Sequence, residues 1–263
     1  MNFRALNRRL SMLTDRLLPG RLRLNGASSF ETAIVPDLLG HATVILDVGG
    51  GKRPFLSPER KRSLGARVIG IDIDADELEH APAGSYDQVI VCDITQGLPL
   101  LEADLVICRS VLEHVADAGA AIKALAAATR PGGQIAIFVP CRNALFARVN
   151  LLLPEPVKRA LLRLLRPADA GHIGFPARYD RATPPAYRSM ILEAGLELTA
   201  LARYYQSNYL VAFWPAYLSW RLLYLPLHLW LGDRVCESFS VVARRLSSQH
   251  RTGRSPFPGA SIP

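Results

Sequence analysis

Three aspartates each close a short apolar run: Asp47 in "VILDVGGGKRP" (44–54), Asp72 in "VIGIDID" and Asp93 in "VCDITQGLPL". Runs of this kind predict parallel strands, and in open parallel sheets ligands lie beyond the carboxyl ends of the strands. Gly49 and Gly51 let the backbone turn sharply and approach a ligand with no Cβ in the way. Asp72 follows Gly51 by 21 residues, where a carboxylate can accept hydrogen bonds from both ribose hydroxyls; Asp74 is the alternative. Asp93 stands where it can meet the exocyclic amine of an adenine, with the Ile94 N–H available to a ring nitrogen. Its other reading is a helix N-cap or turn aspartate. Together these residues predict an adenosine ligand.

Two adenosine cofactors are candidates. The dinucleotide fingerprint G-x-G-x-x-G requires a third glycine where this chain has Pro54. Asp47, two residues before Gly49, sits poorly beside a pyrophosphate and well beside a cationic ammonium and sulfonium. The residues therefore favour S-adenosylmethionine. An NAD-dependent oxidoreductase remains the alternative on the same fold, and a non-catalytic membrane-associated scaffold is the alternative from another class.

For proton transfer the chain offers His114 in "SVLEHV" and His172 in "AGHIGFPARYD". Either imidazole suits a general base for a hydroxyl acceptor. His114 also reads as a structural residue beside the cofactor, and His172 as an exposed loop residue. No metal-ligand spacing, nucleophilic triad or P-loop is present, so no metal is expected. The four cysteines form no CxxC pair. Cys92 and Cys108 lie in apolar runs and read as buried thiols, which fits a reducing cytoplasm.

The elements that must position these groups alternate. Strands are predicted at 43–48, 67–72, 88–93, 103–109 and 133–140, with an alanine-rich helix from about Asp117 to Thr129 that stops at "RPGG". A helix follows at 184–195, then strands at 196–205 and 237–245. This is an α/β pattern with one domain over 41–246, a 1–40 amphipathic cap and a disordered 247–263 tail.

In this order and spacing, "VILDVGGGKRP", "VIGIDID", "VCDITQGLPL", "ADLVICRSVLEHVAD" and "ATRPGGQIAIFVP" resemble the successive motifs of class I (Rossmann-like) S-adenosylmethionine-dependent methyltransferases of the broad type 11 group. The resemblance covers Thr43 to Pro140 and continues weakly to "FSVVARR". It implies a seven-stranded, mostly parallel sheet with a final antiparallel strand and helices on both faces. It also implies Asp47, Gly49 and Gly51 at the methionine end, Asp72 at the ribose, Asp93 and Ile94 at the adenine, and the backbone carbonyl of Arg109 at the methionine. Arg53 departs from the family loop, which often has glycine there.

Two insertions, about 142–177 and 206–236, leave strand ends and should lie on the active-site face. The segment 208–231 is apolar, with Arg221 its one fixed charge. Its flanking strands must pair in one sheet, so it cannot cross a bilayer, and Pro215 and Pro226 predict a helical hairpin. Residues 142–166 hold a leucine stripe flanked by Lys158, Arg159, Arg163 and Arg166. Phe3, Leu6, Leu10, Leu13 and Leu17 form one face of an N-terminal helix, read first as a cap packed on the domain, then as a membrane-surface helix or a mitochondrial presequence. Net charge is +8, and all but four of the 31 basic residues are arginine. The expectation is a cytoplasmic enzyme, peripheral on the inner face of the membrane, that O-methylates a saccharide, lipid-linked or other amphipathic small molecule. A hydrophobic lid or a homodimer interface is the other reading of the apolar segments. A nucleic-acid substrate is not expected, because the basic residues alternate with leucines and not with stacking aromatics.

Overall fold

A computed structural model describes residues 3–154, 156–157, 175–207, 210–232 and 235–246. Its centre is a seven-stranded sheet of order β3-β2-β1-β4-β5-β7-β6. The strands are β1 (Val44–Val48), β2 (Arg67–Asp72), β3 (Gln88–Val91), β4 (Ala103–Arg109), β5 (Thr129–Pro140), β6 (Leu196–Tyr204) and β7 (Ser238–Arg245). The first five run parallel, and β7 lies antiparallel between β5 and β6. This is the Rossmann-like sheet that the sequence implied.

Strand periodicity explains the two layers. Successive side chains point to opposite faces, so Leu46, Val48, Ile69, Ile71, Val106 and Cys108 enter one core while Ile45, Val68, Leu105 and Ile107 enter the other. The chain begins with α1 (Phe3–Arg16), then α2 (Gly26–Ser29), a π turn (Phe30–Ile34) and α3 (Val35–Leu39). Phe30, Val35 and Leu39 fill the second core. Next come α4 (Pro58–Leu64), α5 (Ala75–Glu79) and α6 (Ala118–Ala128). Asp117 caps α6, accepting from the Gly119 and Ala120 N–H groups. After β5 follow α7 (Leu145–Leu152), α8 (Pro184–Glu193) and α9 (Trp214–Leu231).

Three expectations change. "RPGG" does not separate a helix from a strand: β5 already pairs at Thr129 and resumes at Gln134, so Arg130 to Gly133 bulge out of it. Asp104 fixes that corner, accepting from Thr43 and Val44 and ion-pairing with Arg130. The 208–231 segment is not a hairpin, because α9 is one continuous helix with Pro226 inside it. The leucine stripe of α1 does not pack inward. Asn7, Ser11 and Asp15 are the buried residues of that helix, while Phe3, Leu6, Leu13 and Leu17 are exposed. Most of 142–177 beyond α7, and all of the tail from 247, lie outside the described residues.

Candidate active site

The carboxyl ends of β1, β2 and β4 open into one cleft of about 1250 Å³. Val48, Gly49 and Gly50 line its floor, and Gly51 is buried just behind them. Gly49 has φ +71° and Gly51 φ +47°, a left-handed backbone that glycine adopts freely. The Gly49 N–H donates to Ile71 O at 2.7 Å, tying the loop to β2. A Cβ at Gly49 would stand 2.1 Å from Val111 Cγ2, and one at Gly51 would come within 3.2 Å of Asp72 Oδ2. The missing side chains thus let Val111 and Glu77 pack directly on the loop, with Glu77 Cβ the nearest atom to the Gly51 position at 3.0 Å.

Asp47 lies under this loop and is not among the residues that line the cleft. Its Oδ2 accepts the Phe55 N–H at 2.7 Å, which folds the loop back over the strand end. The Tyr86 hydroxyl lies 3.1 Å from Gly51 O and 3.3 Å from Asp47 Oδ2. Burial pushes the Asp47 carboxyl up to about 6, against the opposing pull of the Phe55 N–H and the Arg109 charge.

Asp72 does line the cleft, and its Oδ1 accepts the Asp74 N–H at 3.1 Å. Desolvation raises its pKa. Asp74 caps α5 through the Asp76 N–H. Asp93 is the turn cap of its second reading. Its Oδ1 accepts from Thr95 N at 2.8 Å and Thr95 Oγ1 at 2.7 Å, capping a short turn, and the residue also lines the cleft beside buried Ile94. Those hydrogen bonds hold its carboxyl below the usual range.

At the opposite wall Arg109 ion-pairs with Glu31, and its guanidinium lies 5.6 Å from the Phe55 ring centroid. Lys52 is paired with Glu77 at 2.6 Å. His114 lines the same wall, next to Phe175, Pro176 and Arg178. Its Nδ1 lies 3.3 Å from the Pro176 carbonyl. A carbonyl only accepts, so Nδ1 carries the proton and Nε2 keeps its lone pair. Burial lowers the His114 pKa, which leaves the ring neutral at pH 7. The segment carrying Pro176 is itself held, since the Arg178 and Tyr179 N–H groups both donate to Glu113 O, at 2.7 and 2.9 Å. His172 lies outside the described residues.

The cleft therefore brings together Gly49, Asp72, Asp93, Ile94, Arg109 and His114. Sequence reasoning missed Ala27 and Glu31, which reach it from α2 and the π turn, and Tyr86 beneath the loop. Glu31 lies in an N-terminal stretch with no motif. A π turn inserts one residue into a helix and re-aims a side chain, which periodicity does not register.

The chain's residues 3–201 match the family model described as methyltransferase domain. The chain belongs to the methyltransferase-domain family. That match decides against the dehydrogenase alternative. Among similar proteins is a ubiquinone biosynthesis O-methyltransferase of Rhodopseudomonas palustris, 32% identical over 45% of this chain and 48% of that one. Another of the same name, from Cupriavidus pinatubonensis, is 27% identical over 68% of this chain and 75% of its own. The chain spans about half the length of the first of these relatives. A solved S-adenosylmethionine-dependent methyltransferase from Mesorhizobium loti superposes with a TM-score of 0.52 at 16% identity, over 84% of this chain and all of that one. The shared sheet is that of the S-adenosylmethionine-dependent methyltransferases, and the methyltransferase reading of the sequence holds.

Proposed function

We propose that this methyltransferase methylates a hydroxyl oxygen of an amphipathic small molecule, lipid-linked or saccharide-bearing, at a membrane surface. The observation that carries the oxygen acceptor is His114, an imidazole on the cleft wall whose Nδ1 lies 3.3 Å from the Pro176 carbonyl, whose Nε2 lies 3.9 Å from Glu113 Oε1, and whose pKa burial lowers. The naming of the similar bacterial proteins as O-methyltransferases agrees with it.

The cleft fits S-adenosylmethionine. Its floor is the glycine backbone at Gly49 and Gly50, with Asp72, Asp93 and Ile94 along the same cleft. In this reading the backbone of the glycine loop and the Asp72 carboxylate hold the ribose side, and Asp93 with Ile94 holds the adenine. Asp47 acts from below by fixing the loop through Phe55 N–H. When bound, the cofactor supplies a methyl group on a cationic sulfur. The chain's own share is alignment and proton transfer. Holding an acceptor at near-attack distance is worth roughly 7–11 kcal/mol of the barrier. A positioned base contributes about 10²–10⁴-fold. Phe175 beside His114, their rings 6.5 Å apart, offers an apolar surface for the body of the acceptor.

Titration calorimetry with S-adenosylhomocysteine tests the cofactor half. Gly51→Val and Asp72→Ala should weaken binding by tenfold or more while circular dichroism stays unchanged. Unchanged affinity in both would place the pocket elsewhere. For the base, His114→Gln should lower kcat on a catechol or phenol acceptor by about 10²-fold or more without changing cofactor affinity; a variant with full kcat would remove His114 from proton transfer.

A further inference from the structure

The polarity of α1 is inverted, and α9, which buries Tyr217, Trp220 and Tyr224 in the core, leaves a second apolar face outside. Soluble amphipathic helices turn their apolar stripe to the core and their polar side to water. Here the seam between the two helices is polar. Asn7 Oδ1 accepts from Trp214 N at 2.8 Å, Thr14 Oγ1 from Trp214 Nε1 at 3.0 Å, and Ser11 Oγ donates to Val211 O at 3.1 Å. Arg221, 1% exposed, donates to Asp15 at 2.8 and 3.0 Å and to Tyr205 O and Leu22 O. What faces outward is apolar. On α9 the outer residues include Leu222, Leu223 (76% exposed), Pro226, Leu227 and Trp230 (82% exposed), with no charge among them. On α1 the stripe ends at Leu17, 85% exposed.

We propose that α1 and α9 form an in-plane membrane anchor. Their outer leucines and Trp230 enter the apolar margin of an anionic bilayer, and the arginines of α1 meet its phosphates. Three further observations select a lipid surface. Arg8, Arg9 and Arg16 of α1, and Arg21 and Arg23 just after it, are all exposed, and the only acid of α1, Asp15, is neutralised by Arg221. That combination of leucines and exposed arginines is the pattern of interfacial helices. Among the described residues no helix is long and apolar enough to cross a membrane, so the pair lies in the surface.

Topology gives the anchor its use. β6 ends at Tyr204 and β7 starts at Ser238, both opposite each other and next to Pro140 at the end of β5. α9 therefore leaves and rejoins the sheet at the same rim where the cleft opens. Docking by this rim brings the cleft mouth to the bilayer surface, where an amphipathic acceptor is concentrated. This deepens the membrane element of the function proposed above, and vesicle binding is read without turnover, so either can fail alone.

The full chain is sedimented with phosphatidylcholine vesicles and with phosphatidylglycerol-rich vesicles at low and high salt. It should pellet with the anionic vesicles at low salt. The triple change Leu222→Ser, Leu223→Ser and Trp230→Ser, all on exposed positions, should weaken this by about tenfold or more. Arg8→Gln with Arg9→Gln and Arg16→Gln should weaken it at low salt only. Brominated lipid should quench tryptophan emission in the parent, and Trp230→Phe should abolish that quenching. A chain that stays in the supernatant at low salt overturns the proposal, as does a triple variant that binds as well as the parent. So does a dimer in light scattering that the triple variant converts to monomer, which would make this face an interface between copies.

Discussion

Asp47 holds the glycine loop from below. Its carboxylate bonds to Phe55 N–H and lies within 3.3 Å of the Tyr86 hydroxyl, so what it shapes is the backbone of the loop. The acid was legible in "LDVGGG"; its direction was not, because Tyr86 comes from 39 residues downstream. Gly49 shows the opposite. Its need for glycine was readable and its reason proved double, a positive φ and a methyl of Val111 in the way. Gly49→Val should abolish S-adenosylhomocysteine binding in calorimetry while the far-ultraviolet spectrum persists. Glu113 carries a pH effect. Burial pushes its carboxyl up to about 8 from a usual 4.5, and its Oε2 has no hydrogen-bond partner among the described residues. Between those values the folded chain keeps a proton that the unfolded chain has released. Stability therefore falls as pH rises from about 4.5 to 8, by on the order of a few kcal/mol. Glu113→Gln should raise the melting temperature at pH 8.5 and change it little at pH 5; the same gain at both values would refute this origin.

At the level of elements, the strands of the parallel half were readable nearly to the residue. Their period-two burial on both faces gives short, β-branched runs that nothing else in the chain imitates. α9 was misread for a physical reason. Proline breaks a helix by removing an N–H and crowding the preceding turn. Pro215 stands in the first turn, where that N–H has no partner to lose. Pro226 would have served the carbonyl of Leu222, and both residues lie on the exposed face. The helix therefore runs on. The Asp15–Arg221 pair that clamps it to α1 is fully buried, and removing one member leaves the other charge without compensation. Arg221→Met should cost about 3–5 kcal/mol in urea unfolding. Adding Asp15→Asn should recover much of that loss, since the stranded carboxylate goes with it.

For the molecule as a whole, one cleft joins elements from Ala27 to Arg178, so a ligand there should stabilise the entire sheet. S-adenosylhomocysteine at a hundredfold its Kd adds about 2.7 kcal/mol, which at about 2–4 °C per kcal/mol for a chain of this size raises the melting temperature by roughly 5–11 °C. NAD at the same concentration should leave it unchanged; the reverse result would contradict the cleft's assignment. The strand-end side of this cleft, Gly49, Asp72 and Asp93, was legible because it is local to each strand. On the far wall His114 was readable in "SVLEHV", but Glu31 and Pro176 were not, because they converge on it from distant segments with no shared motif. The direction of the α1 stripe was open for a related reason. A leucine stripe at helical spacing reads as a core face whichever way it points, and only the partner decides.

That partner is far away along the chain: Asp15 meets Arg221 across 206 residues. A ribosome adding about 5–20 residues per second needs roughly 10–40 s to cover that distance. For all of that interval Asp15 lacks the guanidinium that neutralises it. Arg221 is made only after β1 to β6, so the α1–α9 seam closes late, once most of the sheet has been synthesised. A substitution in that seam therefore acts on a late step of folding.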